Sequence, residues 1–147
     1  MLEIKFEFED PNNELTGLNM GHMTFNGDKG SVSSAMSVPS QAMIILIAIS
    51  DLLDGLREYI LSDTKKYNFV GADSSFTVSF EKVDNNHIKV KIGNKEITVI
   101  EQSKLILSVL NDINAFLKVV LPQLPKDDIV YNDIITSVER FKKIKSR

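Results

Sequence analysis

Three carboxylates, Asp51, Asp54 and Glu58, recur at i, i+3 and i+7 within a stretch whose apolar residues also follow a helical period. That spacing puts them on one side of a helix. A carboxylate pair so placed can hold a divalent cation or divide the roles of acid and base. It equally describes a solvated polar stripe beside Arg57, because no histidine or nucleophile accompanies it in sequence. His22 and His87 are the only histidines, no cysteine is present, and neither histidine sits in an HxxxH or HxE spacing. Both therefore read as exposed polar residues, His22 at a strand start and His87 in a turn, and metal ligation is not expected. A catalytic alternative needs the fold to bring Asp51, Asp54 and His22 together. Ser74-Ser75 follows Asp73 without a GxSxG elbow, and such clusters usually bond turn backbone. Glycine-rich nucleotide loops are missing as well. The lysines of residues 82–95 lack interleaved aromatics, since Phe76 and Phe80 fall in the apolar alternation, so no stacking platform for nucleic acid is formed. The expectation is a protein that is not an enzyme, with no cofactor, no metal, and neither nucleic acid nor a membrane as partner.

The acidic stripe must be held by a helix over residues 38–63, around which the chain is organised. Pro39 suits a first turn, and Ser37 or Ser40 can cap it. Residues 42–49 are apolar on every side, then the pattern narrows to Leu52, Leu53, Leu56, Tyr59 and Ile60. The helix thus begins buried and ends half exposed, and its apolar run is too short to span a bilayer. Before it, Leu2, Ile4, Phe6 and Phe8 alternate with Glu3, Lys5, Glu7 and Glu9, which predicts a half-buried strand. A loop over residues 10–20 follows. Met23 and Phe25 then begin a second strand, and a turn at residues 27–30 leads into a third with Val32, Ser34, Met36 and Val38 on one face.

Beyond the helix, Tyr67 and Phe69 lead to a turn at Gly71-Ala72-Asp73, and alternation continues through Phe76, Val78, Phe80, Ile88, Val90, Ile92, Ile97 and Val99. Gly93-Asn94 places glycine first, as a type II′ hairpin requires. From Glu101 the period becomes helical, Pro122 and Pro125 end that helix, and Asp127 is positioned to cap a last one with Val130, Ile134, Val138 and Phe141 inward. The prediction is a single α+β domain over residues 1–147 in the order βββ-α-ββββ-αα. It has a mainly antiparallel sheet of about six strands, a buried helix, and two C-terminal helices packed on the sheet.

A chain of 147 residues buries about 70% of its unfolded surface without disulfides or metals. The N-terminus alternates charged and apolar residues and has no signal-peptide pattern, which predicts a cytoplasmic protein that is not exported. The net charge of −3 conceals an asymmetry. Residues 1–63 carry ten Asp/Glu against three Lys/Arg, and residues 64–147 carry ten against fourteen. An acidic half steers basic partners and repels nucleic acid.

Four features occur in one order: an acidic first strand, a short hairpin, a helix ending in Leu52-Leu53-Asp54-Gly55-Leu56, and a meander opened by residues 69–76. Within that last stretch Phe69, Asp73 and Phe76 form an F-x-x-x-D-x-x-F pattern. Over about residues 2–121 this layout resembles the immunity proteins paired with wall-associated, Rhs-repeat toxins of bacteria. Ser34 or Met36 stands where the family has a strand aromatic, and the last helix is longer. The resemblance implies a cytoplasmic protein that binds and neutralises a cognate toxin domain without chemistry of its own. The toxin-binding candidates are then the acidic residues Glu9, Asp10, Glu14, Asp28, Asp51 and Asp54, facing a basic toxin. The alternative is a small-ligand-binding or homo-oligomeric structural domain, with the apolar helix as pocket wall or homodimer face.

Overall fold

The computed structural model describes residues 1–145. Its element order is β1 (Leu2–Phe8), β2 (Met20–Gly27), β3 (Gly30–Ser33), β4 (Met43–Ile44), α1 (Ile45–Leu61), β5 (Lys66–Val70), β6 (Thr77–Lys82), β7 (His87–Ile92), β8 (Lys95–Glu101), α2 (Gln102–Val120) and α3 (Ile129–Lys145). The class is α+β. The strands divide into two antiparallel sheets of four: β1-β2-β3 with β4 also on β2, and the meander β5-β6-β7-β8. This replaces the expected sheet of about six strands.

The hairpin between β2 and β3 joins the sheets by docking on β8. The Lys29 amide donates to the Ile97 carbonyl at 3.0 Å, the Thr98 hydroxyl donates to Asp28, and Lys29 pairs with Glu96. A Cβ on Gly27 would stand 2.2 Å from the Ile97 carbonyl oxygen, so only glycine lets the two backbones approach.

Helix α1 is the central buried helix, but it starts at Ile45 and not near Pro39. Local sequence suits a helix start at Pro39, yet tertiary pairing takes the chain first. Met43 and Ile44 pair with Gly21 and Met20 of β2. The Ile44 amide donates to Ala72 at 3.0 Å and the Ile45 amide to Asn19 at 3.3 Å. These carbonyls satisfy two amides at the helix start that have no partner within the helix, and Ile44 makes no side-chain cap. The third strand also ends early. After Ser33 the chain turns through a short 3₁₀ helix, Ser34–Met36, with the Ser33 hydroxyl accepting the Ala35 amide at 3.1 Å. Serine side chains bonding local backbone in this way compete with a strand ladder.

The apolar side of α1 is covered by the chain itself: Ile45, Leu46, Ile49, Leu52, Leu53 and Leu56 have no exposed surface. These six side chains therefore offer no free surface, while Ile47 and Ile60 of the same helix line shallow grooves. The segment Gln102–Gln123 is long and apolar enough to cross a membrane by composition. Its buried residues, including Leu105, Val109, Ile113 and Val120, recur at helical spacing and join the shared core. For α3 the cap is Asp128, one residue beyond the expected Asp127. Its carboxylate accepts the Val130 amide at 3.0 Å and the Gly17 amide at 2.9 Å, which ties the loop after β1 to the helix start.

Candidate functional site

Strand β1 owes its position to strict alternation. Leu2 and Ile4 are buried, while Phe6 and Phe8 are half-buried and extend the apolar face toward α2. There Phe116 meets both rings, with centroids 5.3 Å from Phe6 and 5.7 Å from Phe8. A groove of about 740 Å³ runs beside this contact, walled by β1, the start of the following loop and the last turns of α2. Four carboxylates line it, Glu3, Glu7, Asp10 and Asp112, against one lysine, Lys5. Lys5 lies 3.8 Å from Glu3, so part of its charge is already matched.

Asp112 projects from α2 onto the strand and accepts the Ile4 amide at 2.7 Å. Burial pushes its carboxyl above the ordinary aspartate value; the Ile4 hydrogen bond opposes this and Glu3 reinforces it. An acidic groove over aromatic side chains has the chemistry to attract cationic groups and to pack the methylene stems that carry them.

The sequence candidates separate into three places. Glu9, Asp10 and Glu14 are exposed at or just beyond the end of β1, and Asp10 lines the groove. Asp28 lies at the opposite end of the β1–β2 ladder, where Leu2 faces Gly27 and Phe8 faces Gly21. At about 3.4 Å per residue that is about 20 Å away. Asp28 is also committed internally: the Thr98 hydroxyl holds its carboxyl below the ordinary value. Asp51 and Asp54 line a smaller groove of about 310 Å³ between α1 and α3, together with Ser50, Asp133, Ser137 and Arg140. Burial raises the Asp51 carboxyl, with Asp54 adding to the effect. On the β5 side, burial and then Asp51, Asp54 and Glu58 push the Tyr67 phenol up to about 12. Within the α1–α3 groove Arg140 is available to offset the carboxylates.

His22 is buried, contrary to its expected exposure. It lies on the face of β2 opposite Glu7, where the 3₁₀ turn after β3 folds over it. The strand reading that ran through Ser34 hid this turn, so nothing in the sequence pattern signalled the burial. Nδ1 of His22 shares a 2.9 Å hydrogen bond with Ser34 Oγ, and Nε2 lies 3.3 Å from Glu9. The order Glu, His, Ser imitates a hydrolytic triad. Ser34, however, has no exposed surface, and its oxygen also accepts the Met23 amide at 3.1 Å. A nucleophile must reach a substrate carbonyl, and this hydroxyl cannot; the cluster pins the turn to β2.

His22 is thus engaged with Glu9 and Ser34, whereas Asp51 and Asp54 face α3 and Tyr67, so the fold does not assemble the three into one site. Among the described residues no group of three or more His, Cys, Asp or Glu side chains is arranged to hold a metal ion. His87 caps its own turn with Asp84 at 3.0 Å. Ser74 accepts the Phe76 amide at 3.1 Å and donates to the Gln41 carbonyl at 2.8 Å, as a turn serine does. No protein-family model, curated protein or solved structure matches the chain.

Proposed function

We propose that this chain is a non-catalytic binding protein of the immunity type, which captures a basic toxin domain in the bacterial cytoplasm and keeps it from its target. The observation that carries this reading is the β1 groove, with four carboxylates against one lysine beside the Phe6, Phe8 and Phe116 cluster. A toxin that acts on nucleic acid needs a cationic surface for phosphates, and an acidic groove competes for that surface. The layout resemblance to immunity proteins of Rhs-repeat toxins and the acidic first half of the chain support the same reading. In it the docking residues are Glu3, Glu7, Asp10 and Asp112, with Glu9 and Glu14 at the margin. Asp28 serves the fold, and Asp51 and Asp54 lie outside the interface.

The test is affinity capture from the source cell with the tagged chain and with a Glu3, Glu7, Asp10→Lys variant, followed by mass spectrometry and a toxicity assay. The expected result is a stoichiometric basic domain on the wild-type chain, strongly depleted on the variant, whose toxicity the wild-type chain suppresses. Capture of no partner, or equal capture by both chains, would overturn the proposal.

A further inference from the structure

We propose that the groove takes its partner by strand addition: an extended segment of alternating basic and apolar residues pairs with the free edge of β1 at Phe6 and Phe8. This rests on the reading of the groove as the docking site for a basic protein. The direction of the peptide groups carries it. In an antiparallel pair, successive residues point their N–H and C=O groups alternately toward and away from the neighbouring strand. The Glu9 amide donates to Met20, which turns the odd-numbered residues of β1 toward β2. The even-numbered residues therefore point outward, and the Ile4 amide does so, meeting Asp112. The peptide groups of Phe6 and Phe8 point the same way, and no protein partner meets them among the described residues.

Two further features fit an added strand. Both faces of β1 line the groove, Glu3 and Glu7 from one and Phe6 and Phe8 from the other, so the space runs along the strand edge. A strand in that space would set alternate side chains against the carboxylates and against the aromatic cluster, which calls for basic residues alternating with apolar ones. Asp112 occupies the Ile4 amide and so closes one end of the free run, which fixes where pairing begins. A second copy of this chain fits less well, because it would join two grooves that each hold four carboxylates and one lysine.

The test is a titration of the isotope-labelled full chain with a heptapeptide alternating lysine and valine, followed by amide NMR and hydrogen exchange. A matched peptide, N-methylated at the amides that would face β1, serves as control. Strand addition predicts slowed exchange at the Phe6 and Phe8 amides, and binding of the control weaker by about tenfold or more, since each N-methyl group removes a main-chain hydrogen bond. Equal binding of the two peptides would overturn strand addition while leaving the acidic groove as a docking site. No perturbation of β1 by either peptide would overturn both. A dimer of the chain alone, formed through β1, would also overturn the proposal, because the edge would then be filled by a second copy.

Discussion

Strands β8 and β1 are both sheet edges, and the chain treats them differently. The edge of β8 is met by the β2–β3 hairpin through a main-chain hydrogen bond at Ile97 and side-chain contacts at Thr98 and Glu96. Among the described residues the edge of β1 receives one hydrogen bond, from the Ile4 amide to Asp112, and then lies open beside a groove. Unpaired strand edges invite association with other chains, so folded proteins cover or blunt them. Here one edge is covered by main chain and the other is bordered by carboxylates. Asp28 and Asp112 show the same division. The first is held by Thr98 within the fold, and the second sits where added main chain would begin to pair.

Breaking the covered edge has the largest expected effect. Gly27→Ala forces a methyl group against the Ile97 carbonyl, and we expect a loss of about 3 kcal/mol in chemical denaturation, because backbone on both sides must shift. His22→Ala removes the link between Glu9 and Ser34 and leaves the enclosed Ser34 hydroxyl short of a partner. It should cost about 1–3 kcal/mol. If stability is unchanged, the cluster does not hold the turn over β2.

The next prediction sharpens the contrast between acidic regions. Charge reversal at Glu3, Glu7 and Asp10 should slow association with the captured toxin by about tenfold at low ionic strength, with the effect shrinking as salt rises. Reversal at Asp51 and Asp54 should change the rate by less than about twofold. Stopped-flow fluorescence over a salt series measures both.

The smallest effects are in pH dependence, and the two edges should differ in sign. The folded-state carboxyl of Asp28 is lowered, so its contribution is present above the ordinary aspartate value and is lost as pH falls through the folded value. Asp28→Asn should therefore be less stable than wild type at neutral pH, and the gap should close in acid. The folded-state carboxyl of Asp112 is raised, so the stability it favours is present below the ordinary value and lost as pH rises through the folded one. Asp112→Asn keeps an acceptor for Ile4 and should be at least as stable as wild type at neutral pH, with the two converging in acid. Thermal melts between pH 3 and 7 would reveal either sign reversed.

Much of this arrangement is legible in the sequence. The alternation of Leu2, Ile4, Phe6 and Phe8 marks a strand with an apolar face, and Leu105, Val109 and Ile113 mark the helix that covers part of it. Glycine first in the Gly93-Asn94 turn predicts its left-handed φ, which is +59°. The open edge is not legible, because alternation describes a strand's faces and is silent on which strands flank it. For the same reason the division into two sheets depends on where the residues 27–30 turn lands, a contact with β8 made 67 residues along the chain from Lys29 to Glu96. The late start of α1 and the burial of His22 have opposite causes: pairing with distant backbone outweighed the local signal of Pro39, whereas local serine bonding ended β3 and folded the 3₁₀ turn over His22. Of the candidate acidic residues, composition identified the type, and only the fold separates Asp10 in the β1 groove from Asp28 and Asp51.

The most direct test is hydrogen exchange by mass spectrometry on the full chain, with and without the captured toxin domain. The account predicts that protection rises in the peptide covering Phe6 and Phe8 and in the α2 segment that carries Asp112 and Phe116, while the segment with Asp51 and Asp54 is unchanged. Protection that instead appears along the Asp51 face of α1, with β1 exchanging as before, would contradict it.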